Sequence, residues 1–184
     1  MSASPRQRLI AAAIELVREH GVEGTGLADL LERGASARRS IYQNFPGGKS
    51  ELIAVSTQAA GRWMQRRIRE LGTAMGASAT VVELVQQTAA DLVRSDFRLG
   101  CPIMAAAASA DAETVRVAAV DVFALWVDEI APLLARDGRS PEEARSLASF
   151  VVSSVEGALA RARATRSTTP LEEASTYLVR LIAD

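Results

Sequence analysis

The segment TGLADLLERGASARRSIYQNF (Thr25–Phe45) decides the fold at the amino-terminal end of this chain. Its apolar residues recur at helical spacing and Gly34-Ala35-Ser36 interrupts them, which predicts two helices of about seven residues, over 27–33 and 37–44. Helices this short are not stable alone, so neighbouring helices must hold them. The segment therefore predicts a compact three-helix head that contains a helix-turn-helix.

The second short helix has the side chains that a DNA groove requires. Ile41 and Phe45 are four residues apart and can face the core of the head, which leaves the polar side chains pointing outward. Arginine pairs with guanine, glutamine and asparagine pair with adenine, and tyrosine donates to phosphate. Lys49 adds a cation near the start of the next helix. A solvated polar face is the alternative, and the residue chemistry favours DNA over it.

The rest of the chain is punctuated by helix-start signals. Capping boxes of the S/T-x-x-E/Q type begin at Ser4, Thr80, Ser140 and Thr169. Apolar residues between them recur at helical spacing and show no alternating strand pattern, so we predict an all-α fold. The nine helices that we predict lie over 5–20, 27–33, 37–44, 48–72, 79–95, 103–109, 112–136, 141–164 and 170–183.

Composition limits the classes of function. Residues 1–70 hold eleven basic and seven acidic side chains, whereas residues 71–184 hold ten and fifteen, which suits a head that meets phosphate. One cysteine and one histidine exclude an internal disulfide and are too few for a zinc or iron site, so we predict no metal and no cofactor. No stretch approaches the roughly 18 apolar residues of a membrane helix, and we expect a cytoplasmic protein without a membrane partner.

Four motifs in the head resemble the DNA-binding domain of the tetracycline-repressor (TetR) family. They are Leu16-Val17-Arg18-Glu19-His20-Gly21, Thr25–Leu31, Ser40–Pro46 and Lys49-Ser50-Glu51-Leu52. Two further motifs resemble the LmrA/YxaF-like subgroup of multidrug-operon regulators. These are Phe45-Pro46-Gly47-Gly48-Lys49 and Gly100-Cys101-Pro102-Ile103.

The resemblance implies where the DNA contacts lie. It makes Arg38–Asn44 the recognition helix, Thr25 and Tyr42 phosphate clamps, and Lys49 a contact to the DNA backbone. The turn departs from the usual Ala-Gly-Val-Ser order, because the glycine comes one place earlier and Ser36 becomes the candidate capping hydroxyl. Arg39 also replaces a small residue. The DNA-binding residues that we predict are Thr25, Ser36, Arg38, Arg39, Ser40, Tyr42, Gln43, Asn44 and Lys49.

The Ala-rich remainder carries scattered large side chains that either fill a core or line a cavity. The resemblance implies that this part binds a small effector, which we expect to be apolar or aromatic, and that it forms a homodimer. The candidate pocket residues are Trp63, Phe97, Cys101, Met104, Phe123, Trp126 and Phe150. The candidate dimer contacts, on the apolar faces of the last two helices, are Val152, Val155, Leu159, Tyr177 and Leu181. A redox role is the alternative for Cys101.

The resemblance implies a repressor that binds palindromic double-stranded operator DNA and is released by its effector. Residues 1–50 are the predicted DNA-binding domain, and residues 51–184 are the predicted effector-binding and dimerisation domain. No catalytic residue is predicted, because the chain has no Glu-x-x-His pair and no phosphate-cradling glycine loop. The alternatives are a helical-bundle enzyme that binds a small molecule and a protein-binding adaptor without DNA binding.

Overall fold

The computed structural model describes residues 3–110, 112–136 and 138–183, and their regular structure is entirely helical. The all-α prediction is confirmed. The helices are α1 (Pro5–His20), α2 (Leu27–Arg33), α3 (Arg38–Asn44), α4 (Gly48–Arg94), α5 (Pro102–Ala107), α6 (Glu113–Ala135), α7 (Pro141–Thr165) and α8 (Thr169–Ala183). Across the described ranges, no helix is long and apolar enough to cross a membrane.

Helix α4 joins two helices that the sequence predicts as separate, over 48–72 and 79–95. It bends at a single residue, Gly76, whose φ of 78° and ψ of 179° are not helical. Glycine adopts this backbone conformation without the steric cost that a Cβ brings, so a kink replaces the predicted loop. The break at Gly76 divides α4 into two helical segments, so the helices of the described residues agree with the prediction of about nine.

Two of the four predicted capping boxes begin helices as expected. The Ser4 and Ser140 hydroxyls each accept from the backbone N–H three residues on, and that residue's side chain accepts from the cap's N–H. Thr80 differs, because it lies inside α4 and its hydroxyl donates to the carbonyl of Gly76 at 2.6 Å. The Thr80 box is therefore wrong as a helix start.

Met1–Arg62 and Cys101–Val122 together form one compact unit. Helix α5 packs on α1 in this unit, and the hydroxyl of Ser109 donates to the carboxylate of Glu23 at 2.8 Å. The segment after α4 thus packs with the amino-terminal helices, although they are far apart in sequence. The buried cluster of the unit contains Leu9, Ala13, Leu16, Leu30, Ile41, Phe45 and Leu52.

Trp63–Gly100 and Phe123–Asp184 form the second compact unit. Helices α7 and α8 pack together in it, and Arg69 donates twice to the Glu129 carboxylate, at 2.9 and 2.6 Å. These bonds lower the pKa of Glu129 despite its partial burial. The predicted domain boundary after residue 50 falls inside α4, and it stays a prediction.

Candidate nucleic-acid interface

Helix α3 is anchored to the core of its unit by Ile41 and Phe45, which are both fully buried. Because successive residues are about 100° apart around a helix, Arg39 and Gln43 lie on the side opposite these anchors. Both side chains are exposed. The helix therefore presents an arginine and a glutamine, the two side chains suited to bidentate base contacts, directly to solvent.

The side chains on the two flanks of α3 differ in their exposure to solvent. Arg38 and Tyr42 share one flank and are exposed, while Ser40 and Asn44 share the other and are half-buried. The Asn44 amide donates to the carbonyl of Ser40 at 2.7 Å, so one of its donors is already used within the helix. The flank of Arg38 and Tyr42 is consequently the better placed for phosphate contacts.

The turn between α2 and α3 is held by hydrogen bonds from α1. The Arg8 guanidinium donates to the carbonyls of Gly34 and Ala35, at 3.1 and 3.2 Å. Ala35 itself has a φ of 44°, in the left-handed region where glycine is preferred. The resemblance predicts a glycine at this left-handed position. The chain carries that glycine one place earlier, at Gly34.

Two predicted DNA contacts have their hydroxyls directed inward. Thr25 is fully buried and donates to the carbonyl of Gly21 at 2.7 Å. Ser36 donates to the carbonyl of Gly34 at 2.9 Å, and the residue that caps α3 is Ala37, which makes no side-chain capping bond. Ser36 is therefore not the capping residue, and the burial of Thr25 argues against its hydroxyl clamping a phosphate.

Lys49 lies half-buried in the first turn of α4. Its charge contributes to lowering the pKa of Glu23, although the hydrogen bond from Ser109 is the larger cause. The Tyr42 ring lies close by, since a Cβ added to Gly48 meets Tyr42 Cε1 at 3.5 Å. Tyr42 of α3 thus lies close to Gly48, the residue that precedes Lys49 at the start of α4.

Sequence reasoning missed the roles of Arg6 and Arg8, which both lie in the first turn of α1. That turn contains no acidic residue, although acidic side chains are the ones that the positive end of a helix dipole favours. Arginines in a turn where the helix dipole favours acidic side chains are the sequence signal that points to these two residues. Arg8 holds the turn, and the Arg6 guanidinium lies 5.3 Å from the centroid of the Phe45 ring.

The candidate effector residues are divided between the two compact units. Phe123 and Trp126 lie in the second unit and form an edge-to-face pair, with ring centroids 5.8 Å apart. Trp63 and Phe150, also in that unit, are 56% and 54% exposed. Cys101 and Met104 lie in the first unit, at the start of α5.

The candidate dimer residues lie on α7 and α8. Tyr177 and Leu181 are 67% and 43% exposed, which is unusual for large apolar side chains. Val152, Val155 and Leu159 on α7 are half-buried. Phe150 adds a third exposed large apolar side chain to this pair of helices.

Two sequence-family models match separate stretches of the chain. A sequence model of bacterial regulatory proteins of the tetR family matches residues 9–55, and one of the LmrA/YxaF-like regulator C-terminal domain matches residues 77–177. An uncharacterised HTH-type transcriptional regulator of Mycobacterium tuberculosis H37Rv is 34% identical over 91% of this chain and 89% of its own length. The HTH-type regulator LmrA of Bacillus subtilis is 23% identical, with 96% of each chain covered.

Solved structures show the same fold. A TetR regulatory protein of Rhodobacter sphaeroides superposes with a TM-score of 0.84 at 21% identity, covering 97% of this chain and 98% of its own. A TetR-family regulator of Agrobacterium tumefaciens gives a TM-score of 0.81 at 19% identity, with 96% of each chain covered. The chain belongs to the TetR family: it is a transcriptional regulator with a DNA-binding amino-terminal domain and an LmrA/YxaF-like carboxy-terminal domain.

Proposed function

We propose that this regulator represses transcription by binding a palindromic operator as a homodimer, and that a small apolar or aromatic effector releases it. The observation that carries the proposal is the outward side of α3, where Arg39 and Gln43 are exposed opposite the buried Ile41 and Phe45. Operator DNA lies in the cytoplasm of a bacterial cell, so the proposal assigns the protein to that compartment.

The residues of α3 divide into base readers and phosphate contacts. Arg39 is suited to the O6 and N7 atoms of guanine, and Gln43 to the N6 and N7 atoms of adenine. Four residues of α-helix rise about 6 Å, and base pairs rise about 3.4 Å, so the two side chains reach base pairs within about two steps. Arg38, Tyr42 and Lys49 hold the phosphates that set this register.

The test is a selection of bound duplexes from a randomised library, followed by binding measurements with variants. Arg39→Ala and Gln43→Ala are each expected to remove about 1–3 kcal/mol of discrimination at one base pair. Tyr42→Ala and Lys49→Ala are expected to weaken binding to all duplexes alike. Arg136→Ala, an exposed arginine in the connection after α6, is the control for loss of charge. Unchanged affinity and selectivity in all four variants would refute the assignment.

The effector site is proposed to lie within residues 51–184, around the Phe123 and Trp126 pair and Phe97. An aromatic pair of this kind offers an apolar surface with a defined geometry to a planar ligand. Cys101 and Met104 lie in the first compact unit and are not part of this set. Trp63 and Phe150 are left out of this set because their side chains are more than half exposed.

The chain has two tryptophans, so Trp63→Phe leaves Trp126 as the single tryptophan reporter. A broad panel of aromatic and aliphatic compounds is added to this variant bound to operator DNA. We expect at least one compound to quench Trp126 fluorescence and to release the duplex over the same concentration range. Quenching without release, or no response to any compound, would count against the effector assignment.

A further inference from the structure

Arg6 is an exposed cation beside the end of the recognition helix. Its guanidinium lies 5.3 Å from the centroid of Phe45, the residue that caps the carboxy-terminal end of α3. Phe45 is fully buried in the core of its unit, so its ring is a fixed platform for the cation. Within residues 3–110, 112–136 and 138–183, no hydrogen bond or ion pair engages the Arg6 side chain.

Apart from the Phe45 ring, the local electrostatics do not favour a cation at this position. Arg6 lies in the first turn of α1, at the positive end of the helix dipole, with no acidic residue in that turn. Arg8, two residues later, has the same unfavourable position relative to the dipole, but its guanidinium donates hydrogen bonds to the carbonyls of Ala3, Gly34 and Ala35. Arg6 makes no such bonds, so its guanidinium donors are available to an anion from outside the chain.

We propose that Arg6 contacts a DNA phosphate at the carboxy-terminal end of α3, once in each half-site of the operator. A guanidinium stacked on a ring keeps the N–H donors at its edge free, and these match two phosphate oxygens. The proposal rests on the proposed docking of α3, because the phosphate that Arg6 reaches is set by the position of that helix.

A phosphate contact has a signature that distinguishes it from a base contact. It carries no sequence information, so its loss weakens operator and scrambled DNA by the same factor. Each phosphate contact contributes about 0.9 to the slope of log affinity against log salt concentration. A dimer that loses Arg6 from both protomers is therefore expected to lose about 1.8 from that slope.

The experiment measures affinity by fluorescence anisotropy for an operator duplex and a scrambled duplex of equal length, between about 50 and 200 mM salt. Arg6→Ala and Arg6→Gln are both expected to lower the slope by about 1.8 and to leave the ratio of the two affinities unchanged. Arg6→Lys keeps the charge and is expected to keep the slope. Arg136→Ala is the matched control and is expected to behave as the native chain.

Two results would overturn the proposal. One is an unchanged slope in Arg6→Ala. The other is an equal loss in Arg6→Lys and Arg6→Ala together with a changed affinity ratio, which would make Arg6 a support for α3 through the Phe45 ring. Failure of the proposed docking of α3 has a separate result: the native chain itself would show equal affinity for the operator and the scrambled duplex.

Discussion

Ala35 carries backbone strain in the turn that positions the recognition helix. Its φ of 44° brings the Cβ close to the following carbonyl, at a cost of about 1–2 kcal/mol. Glycine removes that cost but loses about 0.5–1 kcal/mol more conformational entropy on folding. We expect Ala35→Gly to raise the free energy of unfolding by about 0.5–1 kcal/mol, measured by urea denaturation.

The neighbouring Gly34 provides the control for this substitution. Its φ of −79° is ordinary, but an added Cβ meets the carbonyl of Leu30 at 2.8 Å and Leu9 Cδ2 at 3.0 Å. Gly34→Ala is therefore expected to lower the free energy of unfolding, by about 1–3 kcal/mol. Shifts of the same sign for Gly34→Ala and Ala35→Gly would contradict this account of the turn.

Glu23 makes the stability of the first compact unit depend on pH. The Ser109 hydroxyl, the strongest influence on this carboxylate, holds its pKa below the ordinary value of 4.5. Because the folded pKa lies below the unfolded one, this stabilisation is fully present above the unfolded pKa and is lost as pH falls through the folded pKa.

Glu23→Gln is accordingly expected to lower the melting temperature at about pH 7, and to differ less from the native chain as pH falls below about 4.5. Thermal unfolding across a pH series measures the effect. Glu32→Gln, which changes an exposed acid on α2, is the matched control and is expected to show no such convergence. A constant difference between Glu23→Gln and the native chain at every pH would contradict the prediction.

At the scale of the element, Gly72 and Gly76 of α4 each exclude alanine, for different reasons. A Cβ on Gly72 meets Leu133 Cδ1 of α6 at 2.3 Å, so Gly72 permits close packing of two helices. Gly76 has nothing within 4 Å of an added Cβ, but its φ of 78° and ψ of 179° belong to a region that only glycine adopts readily. We expect Gly72→Ala and Gly76→Ala each to destabilise the fold by about 1–3 kcal/mol.

Double variants that include Leu133→Ala distinguish the steric clash at Gly72 from the backbone strain at Gly76. Removal of the leucine side chain gives an alanine at 72 the space it lacks, so Gly72→Ala with Leu133→Ala is expected to cost less than the sum of the single changes. The losses from Gly76→Ala and Leu133→Ala are expected to add, because the strain at Gly76 is in the backbone. Equal coupling of Leu133→Ala to both glycine substitutions, measured by urea denaturation, would argue against this distinction.

The helix boundaries show which local signals can be predicted from the sequence. Ser4 and Ser140 start helices because each is followed three residues later by a side chain that completes the box. The same pattern at Thr80 fails, since the carbonyl of Gly76 lies within reach of the hydroxyl inside the kinked helix. Helix α8 starts at Thr169 itself, one residue before the predicted start at 170, and the Thr168 hydroxyl donates to the Glu172 carboxylate at 2.6 Å.

At the scale of the whole molecule, the all-helical fold and the outward side of α3 follow from residue spacing. Ile41 and Phe45 are one helical turn apart, so burial of that pair turns Arg39 and Gln43 outward. The contact between Arg6 and Phe45, and the bond between Glu23 and Ser109, join residues far apart in sequence. Periodicity carries no information on such contacts, which explains why the role of Arg6 and the packing of α5 on α1 were not predicted.

The exposed apolar side chains of α7 and α8 lead to a prediction about assembly. A charge at a buried symmetric contact loses its hydration in both protomers, so Leu181→Asp is expected to give monomers in sedimentation velocity. Each recognition helix then binds without the chelate effect of the other, and operator affinity is expected to fall by at least about 100-fold. Val93→Asp places the same charge on an apolar residue of α4 that is 59% exposed, compared with 43% for Leu181, and is expected to stay dimeric. Dimers for Leu181→Asp, and also for the double variant with Phe150→Asp, would show that the protomers associate through a different surface.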